Sequence, residues 1–183
     1  MGKIGILAAL LLLSATSVMA QGVKTVDTET LPYQLGVGVT YLNFHEGPGT
    51  VPNGVGFTAS LVDYKDWLGA EVQFSDVFGS TSGKASLPLF AGGGIRFRWL
   101  PPRNYQFQPW GHIVVGYSHL YPDTSLGNNQ AVAFKAGGGI DFNPHHSRIG
   151  FRVSADLYRS GFFKTYQLSP EFTAGVVYHF GHQ

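Results

Sequence analysis

The sequence predicts an all-β fold, an eight-stranded antiparallel up-and-down transmembrane β-barrel. Three observations predict it. Residues 91–97, 136–142 and 174–180 are near-copies, each with glycine second and phenylalanine seventh. Apolar residues alternate with small or polar ones through eight segments of strand length, the weak dyad pattern that barrel walls carry. An N-terminal export signal precedes them all.

The first twenty residues are set apart as that signal. Lys3 gives the positive start, residues 4–13 form a short apolar core, and Val18, Met19 and Ala20 prepare a cut before Gln21. The core is too short to span a bilayer as a helix. Residues 21–183 are then expected to form one barrel domain, with no further run of eighteen apolar residues. Cysteine is absent, which removes disulfides, thiol chemistry and cysteine-ligated zinc. Without Lys3 the chain carries eleven basic and eleven acidic side chains, so it lacks the basic excess that a nucleic-acid surface needs. Its charged fraction of 13% is about half that of a soluble domain. Something other than water must cover such a surface.

Each strand follows from its alternation. The first, near 33–45, sets Leu35, Val37, Val39 and Tyr41 on one face; the second, near 53–62, sets Val55, Phe57, Ala59 and Leu61. The third (67–78) offers Leu68, Ala70, Val72 and Phe74, and the fourth (87–100) Leu89, Ala91, Ile95 and Phe97. Ile113, Val115 and Tyr117 mark the fifth (109–121), and Val132, Phe134, Ala136 and Ile140 the sixth (130–142). Phe151, Val153, Ala155 and Leu157 mark the seventh (149–161); Phe172, Ala174, Val176, Tyr178 and Phe180 mark the eighth (170–180). Tight turns at 63–66, 101–108 and 143–148 alternate with longer polar loops at 46–52, 79–86, 122–129 and 162–169.

Alternation alone does not say which face points outward. The opposite face is rich in glycine, including Gly36, Gly38, Gly92, Gly94, Gly137, Gly139 and Gly175. Glycine weakens a water-facing strand, whereas the narrow interior of an eight-stranded barrel needs small residues beside large ones. The apolar face is therefore expected to meet lipid. Trp67, Trp99 and Trp110 fall at the strand ends expected on the periplasmic side, where interfacial aromatics belong.

The last strand, closing on Phe180, resembles the C-terminal signal read by the outer-membrane barrel assembly machinery. Residues 21–183 resemble the outer membrane protein A-like and opacity-like eight-stranded barrel families. Gly181, His182 and Gln183 depart from that pattern by following the terminal aromatic. The resemblance implies a monomer in a Gram-negative outer membrane, with outer-membrane lipids and the assembly machinery as partners, no cofactor and no enzymatic activity.

The expected interior carries Glu71, Arg96, Arg98, Lys135, Asp141, Arg152, Asp156 and Glu171, with His112 and His179 beside them. A narrow lumen tolerates these charges only when they pair. Simple hairpin registers suggest Lys135 with Asp156, Asp141 diagonal to Arg152, Glu71 diagonal to Arg96, and Gly139 leaving space for Arg152. Such a network is expected to plug the barrel, since eight strands leave no open channel.

Chemistry-bearing residues outside that network are few. Ser118 and His119, with Ser125 and Asp123 nearby, resemble only loosely the His-x-Ser-Asn arrangement of outer-membrane lipid A deacylases, because Tyr121 and Pro122 stand at its last two positions. His145, His146 and His182 are too few and too linear for a metal centre. The glycine triplets at 92–94 and 137–139 lie mid-strand and open no helix, so they are not phosphate loops. The expected role is structural or surface-interactive. An adhesin using the loop of Phe162, Phe163, Lys164 and Tyr166 and a lipid A-modifying enzyme are the alternatives.

Overall fold

A computed structural model describes residues 31–43, 53–79, 87–99, 106–121, 129–143, 147–162 and 166–181. The strands are β1 (Tyr33–Asn43), β2 (Asn53–Lys65), β3 (Leu68–Gly79), β4 (Leu87–Arg98), β5 (Phe107–Tyr121), β6 (Gln130–Phe142), β7 (Ile149–Ser160) and β8 (Gln167–Phe180). Each pairs antiparallel with its sequence neighbours, and β1 pairs with β8 from Tyr33↔Phe180 to Leu42↔Glu171. The sheet therefore closes without a free edge, which an open sheet in hydrocarbon would expose at high cost. Eight antiparallel strands in sequence order are what the alternation predicts.

Strand ends are where structure and sequence reading differ. β5 begins at Phe107 and β8 at Gln167, so Pro109 and Pro170 lie within strands rather than opening them. Pro109 cannot donate to the ladder, yet its carbonyl still accepts from Trp99 N at 2.9 Å, which keeps the strand in place. β2 runs on to Lys65, which pairs with Leu68 across a two-residue turn. Asp66 sits in that turn at φ 58°, a conformation that aspartate tolerates better than most residues.

The apolar face points outward. Val72 and Val153 are 58% and 57% exposed, whereas Lys135 and Asp141 are fully buried. This inverts a water-soluble barrel: aliphatic side chains clothe the wall and ions fill the centre.

The interior has two halves. Toward the rim that carries the chain termini it is polar, built from Gln34, Glu71, Arg96, His112, Asp141 and Arg152. Toward the opposite, loop-bearing rim lies an apolar cluster of Leu42, Val77, Phe90, Val114, Leu120, Ala131, Ala133, Tyr158 and Phe162. The loop-side half thus mixes this apolar cluster with buried Lys135, Glu171 and Ser118. Small residues make both halves possible. A Cβ built on Gly94 would stand 1.9 Å from Ile113 O, so the β4–β5 backbones approach more closely than any side chain allows.

Candidate functional site: the charged lumen

β3, β4, β5 and β7 bring Glu71, Arg96, His112 and Asp156 together. Arg96 Nε donates to Glu71 Oε2 at 3.0 Å while its Nη2 reaches Glu71 Oε1, a forked pair. Across the lumen, His112 Nδ1 lies 2.9 Å from the same Glu71 Oε2, and His112 Nε2 lies 2.9 Å from Asp156 Oδ1. With both carboxylates ionised, only a ring that carries protons on both nitrogens donates to both. His112 is then an imidazolium and the counter-ion of Asp156.

Asp141 is held more tightly still. Arg152 donates to it through Nε and Nη2, each at 2.7 Å, and Trp110 Nε1 donates to Asp141 Oδ1 at 2.9 Å. The Arg152 guanidinium also reaches Gln34 Oε1 at 3.0 Å and Ser60 Oγ at 3.3 Å, tying β7 to β1 and β2. The Trp110 ring takes cation–π contacts from Arg96 (4.0 Å to the ring centre) and Arg152 (4.9 Å). Lys135 sits higher, beside the apolar cluster. It donates to Glu171 Oε1 at 2.8 Å and Ser75 Oγ at 2.9 Å, with its ammonium 4.7 Å from the Phe90 ring centre.

Arg98 and His179 lie at the terminal rim. Arg98 Nε donates to Asp66 O at 2.7 Å, and its guanidinium covers the Tyr64 ring at 4.2 Å. His179 Nδ1 faces Gln34 Nε2 at 3.3 Å and its Nε2 faces Asn143 Oδ1 at 3.1 Å. That set suits a neutral ring with the proton on Nε2, accepting from one amide and donating to the other. Two histidines of one lumen thus differ in charge because their partners differ.

All eight predicted lumen charges are buried. Glu71–Arg96 forms on the expected diagonal, and Asp141 pairs with Arg152 directly opposite rather than diagonally. The Lys135–Asp156 pair does not form. Lys135 stands opposite Tyr158 and reaches Glu171 on β8, while Asp156 turns to His112. Nor does Gly139 make room for Arg152. A Cβ there would meet Trp110 Cζ2 at 2.7 Å, whereas a Cβ on Gly36 would meet Arg152 Nη1 at 2.6 Å, so Gly36 is the residue that clears space for the guanidinium. Trp110 also belongs inside rather than to an interfacial ring, while Trp67 and Trp99 are exposed on the outer wall.

Ser118 and His119 lie on opposite faces of β5. Ser118 Oγ is buried, donates to Leu89 O at 2.9 Å and accepts from Tyr158 OH at 2.6 Å. Adjacent strand residues cannot face one another, so these two make no nucleophile–base unit. Ser125, Asp123, His145, His146, His182, Phe163 and Lys164 lie outside the described residues, as does the signal segment. Phe180 closes the β1–β8 seam, its ring stacked on Tyr33 at 5.4 Å and Tyr178 at 5.9 Å.

Neither a family model nor a curated protein matches the chain. Solved structures do. Neisserial surface protein A (NspA) superposes with a TM-score of 0.68 at 12% identity, covering 81% of this chain and 97% of that one. Ail, the attachment invasion locus protein of Yersinia pestis, gives 0.57 at 16% identity over 82% and 99%. The outer membrane enzyme PagL gives 0.55 at 12% identity over 80% and 99%. The likeness is one of fold. All three are small outer-membrane barrels that differ in role: a surface protein, an attachment protein and an enzyme.

Proposed function

We propose that this chain is a small outer-membrane β-barrel of a Gram-negative bacterium, exported through a cleaved signal peptide. Its role is structural or surface-interactive, and its lumen is closed. The observation that carries this reading is the division of the barrel. An aliphatic wall suits lipid, the buried carboxylates Glu71, Asp141, Asp156 and Glu171 each have a basic partner, and Phe90, Tyr158 and Phe162 fill part of the loop-side half of the interior. Among the described residues nothing in that arrangement provides a continuous wet path. Outer-membrane lipids and the assembly machinery are its partners, and the barrel works as a monomer without a cofactor. In this orientation the rim with the chain termini faces the periplasm. Migration on a denaturing gel tests the reading: a closed lipid-embedded barrel runs faster before boiling than after, and identical migration would count against it.

The second reading is a recognition barrel akin to the outer membrane protein A-like and opacity-like families. Its support is Tyr166, 77% exposed at the loop rim, with the Arg159 guanidinium 4.5 Å from its ring centre. Such an aromatic–cation pair suits an anionic surface ligand. In one crystal structure the Yersinia pestis protein carries the heparin analogue sucrose octasulfate, a property of that protein. Loss of binding to sulfated glycans on Tyr166→Ala would support this reading for the present chain, and no binding by the wild type would remove it. A lipid A-modifying role has weaker support, since Ser118 and His119 point apart; an unchanged lipid A mass spectrum on deleting the gene would dismiss it.

A further inference from the structure

Between the ionic cluster and the threonine-lined wall of β1, β2 and β8 lies a cavity of about 20 Å³, room for one water molecule. Its polar lining includes Thr58, Ser60, Gln73, Arg96, Arg152 and Thr173. Gly38 borders it without a side chain, and a Cβ there would collide with Thr173 Cγ2 at 2.7 Å. Two lining residues each bring a buried polar atom with no partner among the described residues: Arg96 Nη1, a donor, and Gln73 Oε1, an acceptor. A third, Ser60, accepts from Arg152 Nη1 and keeps its hydroxyl hydrogen to give.

We propose that this cavity is a binding site for a single internal water that accepts from Arg96 Nη1 and donates to Gln73 Oε1. The chemistry selects water over its competitors. An anion would face two guanidiniums that already hold carboxylates, Arg96 with Glu71 and Arg152 with Asp141, and would stand as an unmatched charge. An apolar occupant would leave both orphan atoms unsatisfied. Water supplies both donors and acceptors, and three partners is the usual number for a buried one. The bound water links Arg96 to Gln73, which lies on β3 between Glu71 and Ser75, and so extends the ionic cluster toward the Lys135 group.

A crystal structure grown in bromide, at a resolution that shows ordered water elsewhere in the barrel, tests the site. The expected map has one peak within hydrogen-bond distance of Arg96 Nη1 and Gln73 Oε1, without anomalous signal. A bromide signal there would make it an anion site, and an empty cavity would overturn it outright. Gln73→Met in the same crystal form is expected to lose the peak; a peak that persists unchanged would show that Gln73 does not hold the water. The wild-type map decides the matter even if the variant fails to fold.

Discussion

His112 Nε2 lies 2.9 Å from Asp156 Oδ1, and this contact reorganises the lumen. It gives Asp156 a counter-ion from β5, so Lys135 is released to hold Glu171. His112→Leu should strand a buried carboxylate and cost about 3–5 kcal/mol, the usual penalty for breaking one side of a buried pair. The double variant with Asp156→Leu should recover part of that loss, because removing both partners leaves no orphan charge. Urea unfolding of the refolded barrel in lipid vesicles measures all three, and strictly additive losses would deny the pairing.

Arg152 reaches Asp141, Gln34 and Ser60, tying β7 to β6, β1 and β2. Arg152→Met should lower unfolding stability by about 3–5 kcal/mol. It should leave planar-bilayer recordings as silent as those of the wild type, because the apolar half of the interior remains filled. Large steady single-channel currents from the wild type would contradict a closed lumen.

The glycine triplet at 92–94 offers an internal control. Gly94→Ala places a methyl 1.9 Å from Ile113 O, a backbone atom that cannot step aside, and should cost about 1–3 kcal/mol. Gly93 faces outward, and a Cβ there meets only Glu71 O at 3.5 Å, an ordinary contact. Gly93→Ala should be neutral or stabilise by about 0.4–1 kcal/mol through the unfolded chain. Equal losses for the two variants, read from the same unfolding curves, would mean that the triplet is not threaded as described.

The sequence made the wall readable because strand side chains alternate, so one parity reveals a whole face. It located the Asp141–Arg152 pair for a similar reason, as the two residues flank one short hairpin. Pairs that cross the lumen were not readable. His112 on β5 meets Asp156 on β7, and Lys135 on β6 meets Ser75 on β3 and Glu171 on β8. Adjacent-strand register does not report which side chains converge through the centre of a closed barrel. The apolar half of the interior escaped notice because Phe90, Val114 and Leu120 stand on the same parity as the glycines and charges. Pro109 and Pro170 hid the starts of β5 and β8, since proline usually marks a strand boundary.

Every role assigned to the protein depends on the outward wall meeting hydrocarbon, and Val153 lies in the middle of β7 with its side chain on that wall. The decisive measurement is the folding free energy of Val153→Lys in lipid bilayers. A lysine near the midplane should cost about 2–4 kcal/mol relative to the parent barrel. A variant as stable as the parent would place Val153 in water and contradict the membrane orientation of the whole barrel.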